Sequence, residues 1–344
     1  MSENPPLNVV RAHPLCAETP TSALTLPYTP ATSVYVRSNF PTPALDASHR
    51  VEVRGAVQNA REFAVAEFAD WPQHELLVTM ECAGNWRLGM EPVPEGEPWS
   101  WGAVSTTRWR GVRLADVLAQ VGVQPDVVEV VAIGADSGPR DDASEPGAVT
   151  FARALPLNVA MHPDTLLATH MDGQPLTPDH GAPLRLVVPG WYGMASVKWV
   201  AALELVTTPF TGYFQRQRYV YRTSNGVEPV TRARVKSFVV SPAHNEGRGT
   251  DVLLRGWAWS GHASIAEVCV QVGDGPWLTA VLAPPASDYA WTEFTLSLSL
   301  PQGAITVRTR ARDAAGNVQP ERAEWNDLGY GNNAIRSFTL HVAD

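Results

Sequence analysis

Cysteine is scarce in this chain of 344 residues. Cys16, Cys82 and Cys269 are odd in number and far apart, so neither a disulfide framework nor a CxxC zinc or redox pair is offered. Long apolar runs are missing as well. The stretch from Leu184 to Pro189 is short and interrupted by Arg185, far below the ~20 residues that a membrane helix needs, so no membrane span is expected. Basic charge is in deficit: Lys+Arg number 26 against 35 Asp+Glu, for a formal net charge of −9. That balance argues against sequence-independent binding to nucleic acid or to an anionic membrane. No fixed-period repeat, low-complexity tract or charge run points to a solenoid or a tail. The first twenty residues carry an early Glu3 and several prolines, and lack the basic and apolar regions of a secretory signal. The expected location is cytoplasmic, or periplasmic for a processed form.

What is present supports a packed protein. Hydrophobic residues make up 44% and charged residues 18%, enough apolar surface for a core and too much for a disordered chain. The length predicts about two domains. Prolines at 5, 6, 14, 20, 27, 30, 41 and 43 disfavour a long helix before residue 45, and this stretch is expected to wrap the surface in extended form. Strand-like alternation follows at Val51 and Val53 and at Phe63, Val65 and Phe68, then a β-rich run from Glu75 to Met80. Between Gly111 and Val121, the spacing of Leu114, Val117, Leu118 and Val121 predicts a helix that stops at Gly122, and Asp126 to Ile133 reads as a buried strand. After Pro229 the runs Lys236–Val240, Asp251–Trp259, Ile265–Val272, Trp291–Leu298 and Ala304–Ala311 are separated by turn residues with no helical pattern between them. They predict an all-β sandwich of roughly 100 residues. The expected divisions are an extended segment 1–19, a mixed domain 20–229 and a sandwich 230–344.

The segment with most chemistry is Met80-Glu81-Cys82-Ala83-Gly84-Asn85-Trp86-Arg87, which puts a thiol in a small turn at the end of a strand. A thiolate there is a nucleophile or a metal ligand, and Arg87 would favour the anion; an isolated cysteine is otherwise packed as a small inert hydrophobe. None of the nine histidines forms a local signature with Cys82 or the HxxxH spacing of a zinc site. Further on, Arg185 and Lys198 flank the glycine-containing turn Pro189-Gly190-Trp191-Tyr192-Gly193, cations suited to a phosphate: arginine as a bidentate fork, lysine as a point charge. His180 and Asp136 offer hydrogen-bonding groups in loops, although Asp136 also suits an ordinary turn and Lys198 an ordinary surface position. The 12 tryptophans include Trp257 and Trp259 in the sandwich, where one strand face is expected to pack on the other sheet and the other to meet a partner.

These segments resemble the sulfite oxidase family of molybdenum enzymes, in which a cysteine of a CAGNRR-like motif ligates molybdenum held by a pterin dithiolene. Cys82 matches that ligand. Tyr35-Val36-Arg37-Ser38-Asn39-Phe40-Pro41-Thr42-Pro43 looks like the family's RNHxPxP segment. Asp179-His180-Gly181-Ala182-Pro183-Leu184-Arg185, Pro189-Gly190 and Ser196-Val197-Lys198-Trp199 resemble its DHGxPxR…PGxxG…VKW signature, in the same order. Gly256-Trp257-Ala258-Trp259-Ser260-Gly261 and Trp325-Asn326 look like its immunoglobulin-like dimerisation domain.

The resemblance implies an α+β molybdopterin-binding domain followed by an all-β immunoglobulin-like sandwich that forms a homodimer. It implies a molybdenum-molybdopterin cofactor held by Cys82 at the metal and by Tyr35, Arg37, Asn39, Asp136, His180, Arg185, Ser196, Val197 and Lys198 around the pterin. Arg37, Arg87, Tyr219 and Trp99 match the substrate pocket. The implied reaction is oxidation of sulfite, or a similar small oxyanion, to sulfate by oxygen-atom transfer. Electrons leave to an external acceptor such as a cytochrome, since no CxxCH haem motif is present. Three positions depart from the family pattern: Trp86 replaces the first arginine of GNRR, Asn39 stands where a histidine is usual, and Leu328 where a further substrate arginine is usual. Arg216, Arg218 and Arg336 are the arginines available to replace that charge. The departures keep two alternatives in view, a molybdenum-dependent reductase of nitrate or a sulfoxide and a non-catalytic binding protein on the same fold.

Overall fold

The computed structural model describes residues 6–143, 147–223, 226–242, 247–248 and 251–343. Strand runs dominate, and the few helices are short. In the first domain one five-stranded sheet joins Arg61–Ala64, Arg50–Gly55, Val200–Val206, Glu129–Pro139 and Ala148–Pro156, with a single parallel pairing between Val200–Val206 and Arg50–Gly55. The other joins Gln174–Pro175, Leu166–Met171, Val104–Arg113 and His74–Glu81, and Arg185–Val187 pairs with Leu166–Met171. A core including Val51, Val53, Leu118, Leu167, Leu186 and Leu203 fills the space they enclose.

Local chemistry explains where these elements differ from the sequence reading. The helix is Leu114–Val121, with all four periodic residues buried and Gly122 ending it at φ +69°. Gly111 to Arg113 belong instead to the preceding strand, because Gly111 lies against the neighbouring strand so closely that a Cβ would fall 2.0 Å from the Leu167 carbonyl. The alternation at Phe63 ends with the strand at Ala64. Val65–Asp70 is a 3-10 helix, in which Val65 and Phe68, three apart, fall on one buried face. The Glu67 carboxylate accepts the Ala64 N–H at 2.9 Å and fixes that turn.

The N-terminal segment does not simply wrap the surface. Strands Asn8–Arg11 and Cys16–Glu18 pair with each other, and the second pairs with Val36–Arg37, so residues 8–18 brace the strand that carries Arg37. Cys16 and Ala17 are fully buried there, and Arg11 is ion-paired with Glu97.

Beyond residue 230 two sheets face each other. One is Lys236–Ser241, Asp251–Trp259, Thr292–Ser299 and Val281–Leu282; the other is Gly247–Arg248, Ser337–Ala343, Gly303–Asp313, Ile265–Val272 and Trp277–Thr279. The period of two sorts the side chains. On Asp251–Trp259, Val252, Leu254 and Ala258 enter the sandwich core, whereas Trp257 and Trp259 face the other way. Those tryptophans, with Trp291, pack on Leu24 and Val104 of the first domain. Trp257 Nε1 donates to the Leu24 carbonyl at 2.7 Å and Trp291 Nε1 to that of Pro27 at 2.9 Å. The partner these rings meet is therefore the chain's own first domain. On the same face of the sandwich Lys236 reaches Glu81 at 2.5 Å, and Glu81 also accepts Trp259 Nε1 and Asn85 Nδ2, each at 2.9 Å. The immediate neighbour of Cys82 is thus tied to the second domain. No helix among the described residues is long and apolar enough to cross a membrane.

Candidate active site

Strand His74–Glu81 delivers Cys82 into a tight turn. The Cys82 N–H donates to the Ala103 carbonyl at 2.9 Å, and the Cys82 carbonyl accepts the Asn85 N–H at 2.9 Å. Gly84 is needed because a Cβ would sit 2.6 Å from the Arg87 guanidinium. Trp86 holds a left-handed φ of 62°, anchored by Asn332 Nδ2 on its carbonyl at 2.8 Å. Burial pushes the Cys82 thiol pKa up, while Arg37, the Gly84 N–H and Arg87 pull it down.

Cys82 lines a cavity in the first domain. Around the same cavity are Tyr35, Arg37, Asn39, Asp136, His180, Arg185, Ser196, Lys198 and Tyr219, residues spread over 185 positions of sequence. Its charges are poorly compensated. Lys198, whose Nζ donates to Ser38 Oγ at 2.7 Å and the Asp179 carbonyl at 2.9 Å and lies 4.0 Å from the Trp199 ring, is lowered by burial to a pKa of about 7, with Arg185 adding to the effect and Asp136 and Asp179 opposing it. Arg185 is lowered by burial to about 10; its hydrogen bonds run to the carbonyls of His180 and Ser196 and to Met80 Sδ, and its guanidinium lies 4.9 Å from the Trp109 ring. Asp136 is raised by burial to about 6, and its Oδ1 has no hydrogen-bond partner among the described residues. Gly134 makes room for that oxygen, since a Cβ there would lie 2.5 Å from it.

His180 is lowered by burial to about 3 and is neutral. Its Nε2 lies 3.2 Å from the Val34 carbonyl and its Nδ1 2.8 Å from Thr177 Oγ1. Nε2–H therefore donates, Nδ1 accepts, and neither nitrogen is left over for a ligand. Ser196 accepts Arg185 Nε at its carbonyl and the Val188 N–H at Oγ. The Tyr35 hydroxyl lies against Gly193, where a Cβ would come within 2.4 Å.

Arg37, Asn39 and Tyr219 form a directed chain. Arg37 Nη2 donates to Asn39 Oδ1 at 2.9 Å, and Asn39 Nδ2 donates to the Tyr219 hydroxyl oxygen at 3.3 Å. The Tyr219 proton is left to point elsewhere. Burial opposes the Arg37 charge, but Tyr219, Cys16, Cys82 and Glu97 outweigh it and hold the guanidinium above its ordinary range.

Three of the residues singled out from sequence lie elsewhere. Arg87 does not line the cavity; its guanidinium is engaged by the carbonyls of Glu97 at 2.7 Å and Leu328 at 2.9 Å and lies 5.6 Å from the Tyr330 ring. Trp99 is buried in a cluster with Cys82 and Tyr35 behind the cavity wall, and Val197 is packed in the first-domain core. Arg216, Arg218 and Arg336 also lie outside the cavity lining. Ser38, Asp179 and Trp199, which stand in the quoted motifs without an assigned role, also line the cavity, as does Met194; Met194 and Arg153 were not singled out. Arg153 is buried behind Tyr219, 5.9 Å from its ring, and donates to the carbonyls of Phe214 and Val230. Nothing in its strand Ala148–Pro156 distinguishes it from any other arginine.

Residues 39–214 match the family model described as the oxidoreductase molybdopterin binding domain, and residues 228–342 the Mo-co oxidoreductase dimerisation domain. The chain belongs to the sulfite oxidase family of molybdopterin oxidoreductases. It is 33% identical over 374 residues to the mitochondrial sulfite oxidase of Homo sapiens, a match covering 99% of this chain and 66% of that protein. It thus spans just under two thirds of the mammalian relatives. The Arabidopsis thaliana sulfite oxidase is 31% identical over 98% of this chain and 95% of its own length. Nitrate reductase [NADH] 1 of Oryza sativa subsp. japonica is 31% identical over 99% of this chain and 42% of its own length. Among solved structures, the sulfane dehydrogenase SoxCD from Paracoccus pantotrophus superposes with a TM-score of 0.83 at 28% identity, covering 95% of this chain and 84% of that one. The cavity fits the cofactor of a sulfite oxidase family member. Arg185 and Lys198, neither within ion-pair distance of a carboxylate among the described residues, suit a phosphate; Asp136 Oδ1, without a hydrogen bond among those residues, suits a pterin N–H; and Cys82 supplies one soft thiolate for the metal.

Proposed function

We propose that this protein oxidises sulfite, or a closely similar small sulfur oxyanion, to sulfate by oxygen-atom transfer, as a homodimer that passes electrons to an external acceptor such as a cytochrome. The observation that carries this reading is the arrangement of Arg37, Asn39 and Tyr219 on the cavity wall shared with Cys82. When bound, the molybdenum cofactor supplies two-electron exchange coupled to oxygen transfer. The chain supplies the rest. Cys82 holds the metal. Arg37 is a permanent cation and offers the anion compensation for the hydration it loses on entry. Asn39 occupies one lone pair of the Tyr219 oxygen, so the Tyr219 proton is available to the substrate or product oxygen, a role worth about 10²–10⁴-fold when a positioned group performs it. Arg185 and Lys198 hold the pterin phosphate, and Asp136 its amino groups.

One observation favours a second reading. Leu328 contributes its carbonyl to Arg87 rather than a charge to the cavity, so with Arg185 and Lys198 given to the pterin phosphate, Arg37 is the lining cation left for the substrate among the described residues. A pocket with fewer charges suits a monoanion such as nitrate, and a nitrate reductase is among the relatives. The deciding experiment is to express the protein with molybdate, measure molybdenum per chain, and compare initial rates. Sulfite is tested with an artificial electron acceptor; nitrate and methionine sulfoxide are tested with a reductant. Turnover with sulfite at near-stoichiometric metal supports the oxidase. Turnover only in the reducing direction replaces it with the reductase, and a metal-free protein that turns over nothing sinks both.

A further inference from the structure

Away from the catalytic cavity, a second, narrow hollow lies at the seam between the domains. Trp86 and Trp101 wall it from the first domain, Phe238 and Trp259 from the second, and Lys236 and Arg336 also line it. The rings form a continuous edge-to-face series: Trp101 to Phe238 at 5.3 Å and 67°, then Phe238 to Trp259 at 5.5 Å and 82°. The two cations are in different situations. Lys236 is neutralised by Glu81. Arg336 has its guanidinium 4.7 Å from the Trp101 ring and, among the described residues, neither a hydrogen bond nor an ion pair. Partial burial lowers its pKa, and no carboxylate among the described residues restores it.

An uncompensated guanidinium in an aromatic hollow calls for a ligand with one negative charge and a flat apolar body. A compact, strongly hydrated anion would lose its water shell against the rings without recovering it from one cation. A second charge would find no partner, since Lys236 is already paired. We infer that this inter-domain hollow is a binding site for a small aromatic anion, an aromatic carboxylate in its simplest form, held by Arg336 and sandwiched among Trp86, Trp101 and Trp259. Trp86, Ala334 and Arg336 line both this hollow and a neighbouring groove, the side from which the ligand would enter. Its occupant touches Trp86, whose strained backbone belongs to the turn that carries Cys82.

Three tryptophans in the wall provide the readout. The molybdenum-loaded protein is titrated with benzoate while tryptophan fluorescence is followed, with benzyl alcohol and inorganic sulfate as controls for the ring and the charge alone. Saturable quenching by benzoate with a dissociation constant of about 1 mM or tighter is expected, and at least tenfold weaker binding of either control. Arg336→Gln weakens benzoate at least tenfold, Arg336→Lys recovers most of that loss, and Ala334→Phe, which fills the entrance, abolishes binding. Thermal unfolding establishes that each variant is folded. Should an Arg336→Gln variant fail to fold, the comparison rests on Ala334→Phe. If benzoate does not bind, if it binds Arg336→Gln or Ala334→Phe as tightly as the wild type, or if sulfate or benzyl alcohol binds equally well, the site is not the one inferred.

Discussion

Lys236 and Glu81 make a demanding test of the domain seam, because both are almost inaccessible, at 6% and 1% exposure. Lys236→Met keeps the apolar stem and removes the charge. The Glu81 carboxylate is left with Trp259 Nε1 and Asn85 Nδ2, two neutral donors at 2.9 Å, and no cation. Breaking one side of a buried pair costs about 3–5 kcal/mol, because the surviving charge is uncompensated. An unfolding entropy of about 2.1 cal/mol/K per residue makes each kcal/mol worth roughly 1.4 °C in a chain of 344 residues, so the midpoint of thermal unfolding falls by roughly 4–7 °C. The double variant Glu81→Gln/Lys236→Met removes both charges, and recovers most of that loss. The assay is calorimetric or circular-dichroism melting of wild type, both single variants and the double variant under one set of conditions. An unchanged midpoint for Lys236→Met would show that water reaches the pair, and the argument from burial would collapse. A double variant no better than Lys236→Met would assign the loss to packing rather than charge.

Cys82→Ser is expected to abolish turnover and lower molybdenum per chain while the protein still melts cooperatively; full metal and activity would remove Cys82 from the metal. Tyr219→Phe should lower kcat at least about 100-fold with little change in metal content, and a pH–rate profile unaltered in both height and shape would refute its proton role. In the cofactor-free protein Lys198 has a pKa of about 7, below its ordinary 10.5. The folded state therefore binds fewer protons than the unfolded state above pH 7, so its contribution to stability is least below 7 and grows as pH rises. Denaturant melts between pH 7 and about 8.5, below the ordinary range of tyrosine ionisation, should show wild type gaining stability relative to Lys198→Met; parallel curves would contradict the burial of that ammonium.

Legibility from sequence followed the range of the interactions. The Cys82 turn could be read directly because the strand, the small residues and the thiol all lie within eight positions. The sandwich strands were equally plain, because alternation on Asp251–Trp259 is imposed by a two-sided environment. Arg87 was harder. Its neighbourhood in sequence places it beside Cys82, but its guanidinium is turned toward carbonyls from Glu97 and from Leu328, 241 residues away. His180 was read as a free hydrogen-bonding group because Val34, which accepts from its Nε2, is 146 residues distant. Arg153 carried no signal, since what marks it is the desolvation it meets only when folded.

The sequence by itself determined the order of the elements, the two-domain division of composition, the family and the residue types available for a metal and its phosphate-bearing cofactor. These depend on periodicity and on short motifs, which survive in one dimension. The tertiary structure decided which charges are paired. It placed Arg37 in the cavity and Arg87 behind it, closed Glu81 onto Lys236 across the domain seam, and, among the described residues, left Asp136 Oδ1 without a hydrogen bond and the Arg336 guanidinium with the Trp101 ring in place of an ion pair. Hydrogen bonds and ion pairs reach only a few ångströms, so their partners are fixed by where distant strands come to lie, and the pKa of each buried group is fixed with them.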